Sequence, residues 1–407
     1  MQDTCQSVSL QNMTNRYPRY DRSTPSIYYD LFFAAAISYL GGMRLDSLMV
    51  TNFRNFETAL IRPAQGVNIF YGGNGSGKTN LLEAIFTLCL GRSQRGARDL
   101  MLVHENDAGY FRLEGKGEVE GREVRLTCAY EKGGRKKITI DDNPARVSKL
   151  FELLSVISMA PEDVTLFSGP PSNRRRFLDI HQAQASPSYL ADLTDYSKAL
   201  AQKNSFLKNN PGQECPFDPL LIEYGARIMT ARHRFIQSVQ SQAPGYYDRI
   251  TGESKTDEEA AFRCAYAPNV PFAQKEEIAG EFNKRLADNR RREEALETAV
   301  VGPHRDDVDF YIGRFPARGY GSQGEMRSAA AAVMMAAADY LESRRREKPI
   351  LLLDEIFAEL DHARRDNLAR LFDAFEQIFL TTAVEPPPAL NEQAVIFHIE
   401  NGKVERG

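Results

Sequence analysis

The sequence predicts an α/β protein: a parallel sheet with an antiparallel β lobe beside it and a mainly helical segment inserted, without a long coiled coil. Three observations carry this. Residues 67–90 (VNIFYGGNGSGKTNLLEAIFTLCL) read as strand, glycine-rich turn and helix, since an apolar β-branched run ends at Tyr71 and Leu81, Leu82, Ile85, Phe86 and Leu88 then recur at helical spacing. Residues 350–353 are wholly apolar and close on Asp354-Glu355, the pattern of a strand covered on both faces. Between these two stretches lie alternating strands and then amphipathic helices.

Within the first stretch Gly72, Gly77, Lys78 and Thr79 fit the G-x-x-x-x-G-K-[ST] pattern, with Gly73 and Gly75 as additional glycines. Asn74 and Ser76 complete the loop, and Asn80 follows in the helix. A phosphate chain needs backbone N–H groups turned inward, at φ values that glycine adopts cheaply, and a helix N-terminus behind them. The loop supplies both. Lys78 then reaches the terminal phosphates, and the Thr79 hydroxyl suits a Mg²⁺ ligand. An ordinary glycine turn is the bland alternative, outweighed by the agreement of motif and flanking pattern.

Length allows two or three domains in 407 residues. With 51 basic against 55 acidic residues, any nucleic-acid binding must come from a local patch and not from a global field. Cys5, Cys89, Cys128, Cys215 and Cys264 are scattered and lack C-x-x-C spacing, which disfavours a disulfide framework or a zinc site and points to a reducing, cytoplasmic setting. The apolar run at 31–40 is too short to span a bilayer. Residues 1–42 lack periodicity and end at Gly41-Gly42; they read as a poorly structured, dispensable extension or the product of an upstream start.

From Met43 the chain alternates in the β manner over 45–50, turns at Thr51-Asn52 and returns toward the strand at 67. Asn52, Phe53, Arg54 and Asn55 fall at the bend, where Arg54 has two readings, a polar turn or a neighbour of phosphate. Arg92, Arg95 and Arg98 read as a solvated face. Residues 111–140 form antiparallel strands, with turns at Lys132-Gly133-Gly134-Arg135 and at Asp141-Asp142-Asn143. Lys132, Arg135, Lys136 and Lys137 cluster at a hairpin tip; a soluble turn and contact with DNA phosphates both fit. After a strand at 156–159, Pro170-Pro171 breaks the chain and Arg174-Arg175-Arg176 opens a helix. Cations there oppose the helix dipole, so either DNA or an internal acid must lie nearby. Leu190, Leu193, Tyr196, Leu200 and Leu207 mark one helical face, and Leu221, Tyr224, Ile228, Phe235 and Val239 a second. They predict a hairpin with arms of about six turns. Residues 257–298 read as charged and helical.

Beyond 300, VGPHRDD is polar between strand-like pieces; His304 is isolated, and a lone histidine seldom holds a metal. Gly321 to Gly324 form a small-residue turn opening an alanine-rich helix, again an anion site, with Ser322, Gln323 and Gly324 at its mouth. Asp354 and Glu355 end the apolar strand. Beside a P-loop such a pair holds Mg²⁺ and orients or deprotonates the attacking water, so Glu355, Asp354 and Lys78 are the candidate catalytic residues, with Thr79 and Asp354 toward the metal. Asp361 is either a helix cap or a group facing a partner's site. QIFLTT (377–382) reads as a further parallel strand.

The motif order resembles ABC-type ATPases, and NFRNF, APEDV, RRRFLD, VGPHRDD and LLLDEIFAELD resemble the RecF family of bacterial recombinational repair from Met43 to about Gly402. The resemblance implies an ABC-type P-loop ATPase head made of 43–165 and 300–407, with 166–299 as an inserted, mainly helical domain. It implies a slow, switch-type, DNA-stimulated ATPase, not a nuclease, using ATP and Mg²⁺. It further implies an ATP-dependent homodimer that binds double-stranded DNA and its junctions with single strands, working with RecR and RecO and indirectly with RecA, without a membrane. Three departures stand out: Glu325 replaces a usual glutamine in the signature, no glutamine stands in APEDV, and no histidine directly follows QIFLTT. They point to slow hydrolysis. Two other readings are a transporter-type ATPase subunit, against which the wide separation of Lys78 and Ser322 argues, and a nucleotide-dependent scaffold that does not bind DNA.

Overall fold

A computed structural model describes residues 43–106, 108–210, 212–253, 262–358, 360–384, 390 and 394–407. The expected N-terminal extension, 1–42, lies outside them. The chain opens with β1 (Arg44–Phe53) and β2 (Phe56–Ile61), whose register pairs Phe53 with Phe56. The turn is therefore Arg54-Asn55, not Thr51-Asn52. Asn52 does have φ 50°, which is why it reads as a turn, but the strand continues through it.

β1 and β2 join β4 (Tyr110–Val119), β5 (Arg122–Glu131), β6 (Lys137–Ile140) and β7 (Asn143–Ala145) in an antiparallel sheet of order β2-β1-β4-β5-β6-β7. Its hairpins turn at Glu120-Gly121 and Asp141-Asp142, all four residues at positive φ as the favoured two-residue turns require. The second sheet contains β3 (Gly66–Tyr71), β8 (Val156–Met159), β12 (Ile350–Asp354), β13 (Gln377–Thr382), β14 (Val395–Glu400) and β15 (Lys403–Arg406), in the order β15-β14-β3-β13-β12-β8. All its pairings are parallel except the β14–β15 edge. Helix α1 (Lys78–Leu90) lies against strands of both sheets and is buried without interruption from Leu81 to Leu90, hence its lack of a polar face.

After α2 (Val147–Leu153) come α3 (Pro171–Ala185), α4 (Pro187–Asn209) and α5 (Asp218–Thr251). The α4–α5 hairpin matches the predicted faces, but α5 runs 34 residues, well past the six turns expected. Pro244 does not end it, and the buried face continues through Tyr247 and Ile250. The stretch read as helical from 257 to 298 contains β9 (Phe262–Ala267) before α6 (Ile278–Leu296). Residues 257–261 lie outside the described set. β9 pairs antiparallel with β10 (Asp307–Ile312), which is extended by the short β11 (Phe315–Pro316). The expected division at residue 300 thus passes between two paired strands.

VGPHRDD forms a polar hub there. Asp306 is fully buried and accepts from Arg232 (2.9 Å), from the N–H of Asn269 (2.8 Å) and from the Tyr266 hydroxyl. Arg232 also donates to Asp179 (2.8 Å), to the Tyr189 hydroxyl (3.1 Å) and to the Pro303 carbonyl (2.7 Å). The segment reaches α3, α4, α5 and β9 through one charge pair, and removing either partner from such a pair costs about 3–5 kcal/mol. His304 lies beside it. Its Nδ1 accepts from the Tyr196 hydroxyl (2.6 Å), which puts the proton on Nε2, facing the Ala299 carbonyl at 3.1 Å. His304 is thus a packed, doubly bonded side chain. Among the described residues no cluster of three or more His, Cys, Asp or Glu could hold a metal ion.

Burial pushes both His304 and His181 down to about 4, against the opposing carbonyl contacts of Ala299 and Phe177. The unfolded chain therefore takes up protons near pH 6.5 that the folded chain refuses until about pH 4, so stability falls on acidification through that window. Each histidine is expected to remove about 2 kcal/mol between pH 7 and pH 5. Urea unfolding at the two pH values checks this; His181→Asn and His304→Asn should each flatten the acid limb, and an unchanged slope would contradict the assignment.

Candidate functional site

The site begins with strand register. Asp354 of β12 pairs with Thr381 of β13, and Thr381 pairs with Phe70 of β3, so the carboxyl ends of three adjacent strands lie in one row. The loop 72–77 leaves β3 at that row, the place where open α/β sheets put their ligands. Gly77 has φ 113°, and a Cβ there would stand 2.3 Å from Nδ2 of Asn55. A Cβ on Gly72 would stand 2.3 Å from the Ile399 carbonyl oxygen. Neither position tolerates a side chain. Asn55 braces the loop from the β1–β2 turn, donating to the Ser76 carbonyl (3.0 Å) and accepting from the Asn80 amide (2.8 Å).

Lys78 is buried and held by the Gly72 and Gly73 carbonyls (2.8 and 3.0 Å) and by Oε1 of Glu355 (3.0 Å). Asp354 Oδ1 accepts from Thr79 Oγ1 (2.8 Å) and Thr381 Oγ1 (2.6 Å). Burial raises the Asp354 pKa; the two hydroxyls and the charge of Arg95 oppose that rise, and Glu162 adds to it. Glu355 sits at φ 49°, in the left-handed region disfavoured for its type, and is pinned by N–H contacts to the Thr381 carbonyl (3.2 Å) and hydroxyl (3.0 Å). Its Oε2 accepts from the N–H of Ala383 (3.2 Å). Lysine, carboxylate pair and hydroxyl therefore converge on one loop.

Ser322 stands apart from that constellation, as the N-cap of α7 (Gln323–Arg345). Asp361 caps α8 (His362–Leu371) by accepting from the N–H of Arg364 (2.9 Å).

Comparison with known proteins agrees with this geometry. The RecF/RecN/SMC N-terminal domain matches residues 44–403. A "DNA replication and repair protein RecF" of Streptococcus gordonii is 35% identical over 369 residues, covering 89% of this chain and 100% of that protein. The chain belongs to the RecF family. A RecF of Geobacillus kaustophilus is 33% identical over 89% of this chain and 99% of its own length. The solved RecF bound to ATPrS, described as a recombination mediator protein of the RecFOR pathway, superposes with a TM-score of 0.81 at 30% identity, covering 90% of this chain and 99% of that one. An Smc head bound to a domain of ScpA shares the fold at a TM-score of 0.52 and 15% identity.

Within this RecF family member the arginine expectations change. Arg174 is buried and forks onto Asp307 (2.5 and 2.9 Å) while donating to the Leu166 and Gly169 carbonyls. Arg175 donates to the Asp306 carbonyl (2.9 Å), and Arg176 to those of Ser93 and Gln94 (3.1 and 2.7 Å). The anion beside Arg174 at this helix start is Asp307, and Arg175 and Arg176 have backbone carbonyls as partners, so each of the three has a partner within the chain. Arg54 donates to the buried Glu83 (2.9 Å) and to the Met101 carbonyl (2.9 Å). At the β5–β6 tip Lys136 pairs with Asp99 (2.5 Å), while Lys132, Arg135 and Lys137 are exposed.

Sequence reasoning passed over Asn55 and Thr381 as site residues. The signal for Thr381 was its place at the end of an apolar strand; Asn55 carried only a turn signal. Asn55→Ala removes two hydrogen bonds from the loop while leaving Gly77 room, so nucleotide affinity is expected to fall several-fold with little change in melting temperature. Isothermal titration with ATP checks this; unchanged affinity would reduce Asn55 to a turn residue.

Proposed function

We propose that this protein is an ATP-dependent DNA-binding protein of recombinational repair and replication restart, acting as a slow switch-type ATPase that pairs with a second copy around ATP. The observation that carries the reading is the convergence of Lys78, Thr79, Asp354 and Glu355 on a glycine loop at the ends of β3 and β12, in a chain whose relatives are named DNA replication and repair proteins. Solved relatives hold ATP or ATPrS and are described within the RecFOR pathway. On that basis RecR and RecO are its partners and RecA the indirect beneficiary, with DNA gaps and junctions as the substrate and the cytoplasm as the setting. No described helix is long and apolar enough to cross a membrane.

The residues present fit ATP and Mg²⁺. The positive φ of Gly75 and Gly77 turns N–H groups into the loop, and Thr79 and Asp354 already place two hard oxygens 2.8 Å apart. Thr79 and Asp354 would hold Mg²⁺, which when bound would neutralise phosphate charge and polarise the terminal phosphoryl group. Lys78 would exchange the Gly72 and Gly73 carbonyls and Glu355 for phosphate oxygens. Glu355, released from Lys78, orients and deprotonates water; the Ala383 N–H and its backbone contacts to Thr381 aim it. The two hydroxyls that donate to Asp354 oppose the rise in its pKa that burial causes. Ser322, at the mouth of α7, presents its turn to the nucleotide of the partner copy, alongside Gln323, Gly324 and Asp361. DNA phosphates meet the exposed cations Arg135 and Lys137 at the β5–β6 tip.

Glu355→Gln keeps the nucleotide and stops turnover, so with ATP it is expected to be dimeric by light scattering and to retard gapped duplex DNA, less so as salt rises. Dimer without any salt-dependent DNA shift would favour a protein scaffold.

Shared sites make a second prediction. Lys78→Met and Ser322→Arg homodimers should each be inactive, because every site carries one defect. Mixing them lets one site collect both defects and leaves the other whole, so about a quarter of wild-type turnover is the upper expectation with random pairing. Mixed dimers that form and stay both inactive and unlocked in a Glu355→Gln background would sink the shared-site model.

A further inference from the structure

We propose that Glu325 is a positioning residue that withholds the Ser322 hydroxyl, and so sets the threshold at which two copies of this chain close around ATP; this rests on the shared-site reading above. Ser322 Oγ accepts the N–H of Glu325 at 3.3 Å, and Glu325 Oε2 takes both the N–H (2.9 Å) and the O–H (2.7 Å) of Ser322. A capping box needs only the two N–H contacts. The O–H contact is additional. It turns the hydroxyl proton toward a carboxylate and away from whatever faces the turn.

The neighbouring charges belong to the same turn. Arg364 Nη1 lies 2.8 Å from where a Cβ on Gly324 would stand, so the guanidinium rests on the signature backbone, and its Nε is 3.3 Å from Asp361 Oδ2. Tyr247, at the end of α5, senses both: burial raises its phenol to about 12, Glu325 adds to the rise and Arg364 opposes it. Glu325, Arg364 and Asp361 thus form one charged group spanning the starts of α7 and α8.

A phosphate oxygen that takes over the Ser322 O–H would sit two hydrogen bonds from the carboxylate, about 5 Å or less. Like charges at that separation repel at both sites of a two-fold dimer. Closure must therefore turn the hydroxyl off Glu325 and bring the triphosphate up to its carboxylate. Arg364 offsets some of that charge. Removing it by Glu325→Gln keeps the capping box, because glutamine serves equally at that position.

The experiment starts from Glu355→Gln, so that ATP is not consumed, and measures the ATP-dependent dimer dissociation constant by sedimentation equilibrium with Mg-ATP across a salt series. Adding Glu325→Gln is expected to tighten the dimer about tenfold or more at low salt. The advantage should shrink toward about 0.5 M salt as screening removes the repulsion. Glu325→Asp keeps the charge and should stay near the parent. A purely structural cap would leave the salt dependence of the two variants alike. A Glu325→Gln protein that pairs no more tightly than the parent, or whose gain is the same at every salt concentration, overturns the proposal while leaving the shared-site reading in place. A Glu355→Gln parent that stays monomeric with ATP overturns that reading and the proposal with it.

Discussion

One carboxylate oxygen, Oδ1 of Asp354, receives the hydroxyls of Thr79 and Thr381, and the nucleotide site depends on that junction. Asp354 is the last residue of β12, Thr381 the penultimate residue of β13, and Thr79 the second residue of α1. A buried charge without partners would be expelled or protonated, since desolvation works against the ionised form. Two donors favour the ionised form against that burial, and the same two bonds tie the start of α1 to the sheet. The loop between Gly72 and Gly77 therefore has both ends anchored: one by the β3 register, the other by a bond to a strand remote in sequence. Glu355, one residue on, takes its strained φ from this setting, because Thr381 holds its N–H through both carbonyl and hydroxyl.

A second polar junction does for the helical segment what Asp354 does for the sheet. Asp306 and Arg232 meet with negligible exposure, and tyrosines 189 and 266 and Asp179 complete the group. Such pairs contribute little net stability over an apolar core, yet they are costly to break. Their hydrogen bonds tie α3, α5 and β9 to VGPHRDD. Arg174 extends the same logic to Asp307, and Arg176 carries it to the carbonyls that follow α1. The helical segment and the loop half of the site thereby share hydrogen bonds, although about 80 residues separate them in sequence.

What was legible in the sequence was what local chemistry determines. The glycine loop, the apolar strand ending in Asp354-Glu355 and the serine turn before α7 each carry their signal within a few residues, and each sits where it was read. The structure also accounts for Glu325 in the signature, which pattern alone flagged as an oddity: it closes a capping box with Ser322. Long-range partners were not legible. Three arginines at a helix start announced an anion, but nothing local told Asp307 from a DNA phosphate. The true turn at Arg54-Asn55 was hidden because Asn52 also favours positive φ. β9 was hidden because its pairing partner, β10, lies forty residues on and because the charged sequence around it has helical composition.

These internal partners narrow which cations the proposed DNA contact could use. The chain carries a formal net charge of −4, so attraction to a polyanion must come from cations that are clustered, exposed and not neutralised in place. Arg174 and Arg232 are buried against acids, and Arg54 and Lys136 are paired with Glu83 and Asp99, so none of the four is a strong source of that field. The β5–β6 tip keeps Lys132, Arg135 and Lys137 exposed on a hairpin opened by Gly133, whose φ of 82° lets three cations crowd one turn. On α6, Arg291 and Arg292 are exposed as well, but Glu294 and Glu297 follow within the same turns and dilute the local field. In the proposed reading, three cations on one tip would give a weak, strongly screened grip per chain. A two-fold pair would double that grip on a single duplex, so the proposed ATP-dependent pairing and DNA affinity would be thermodynamically linked without any change in the tip itself.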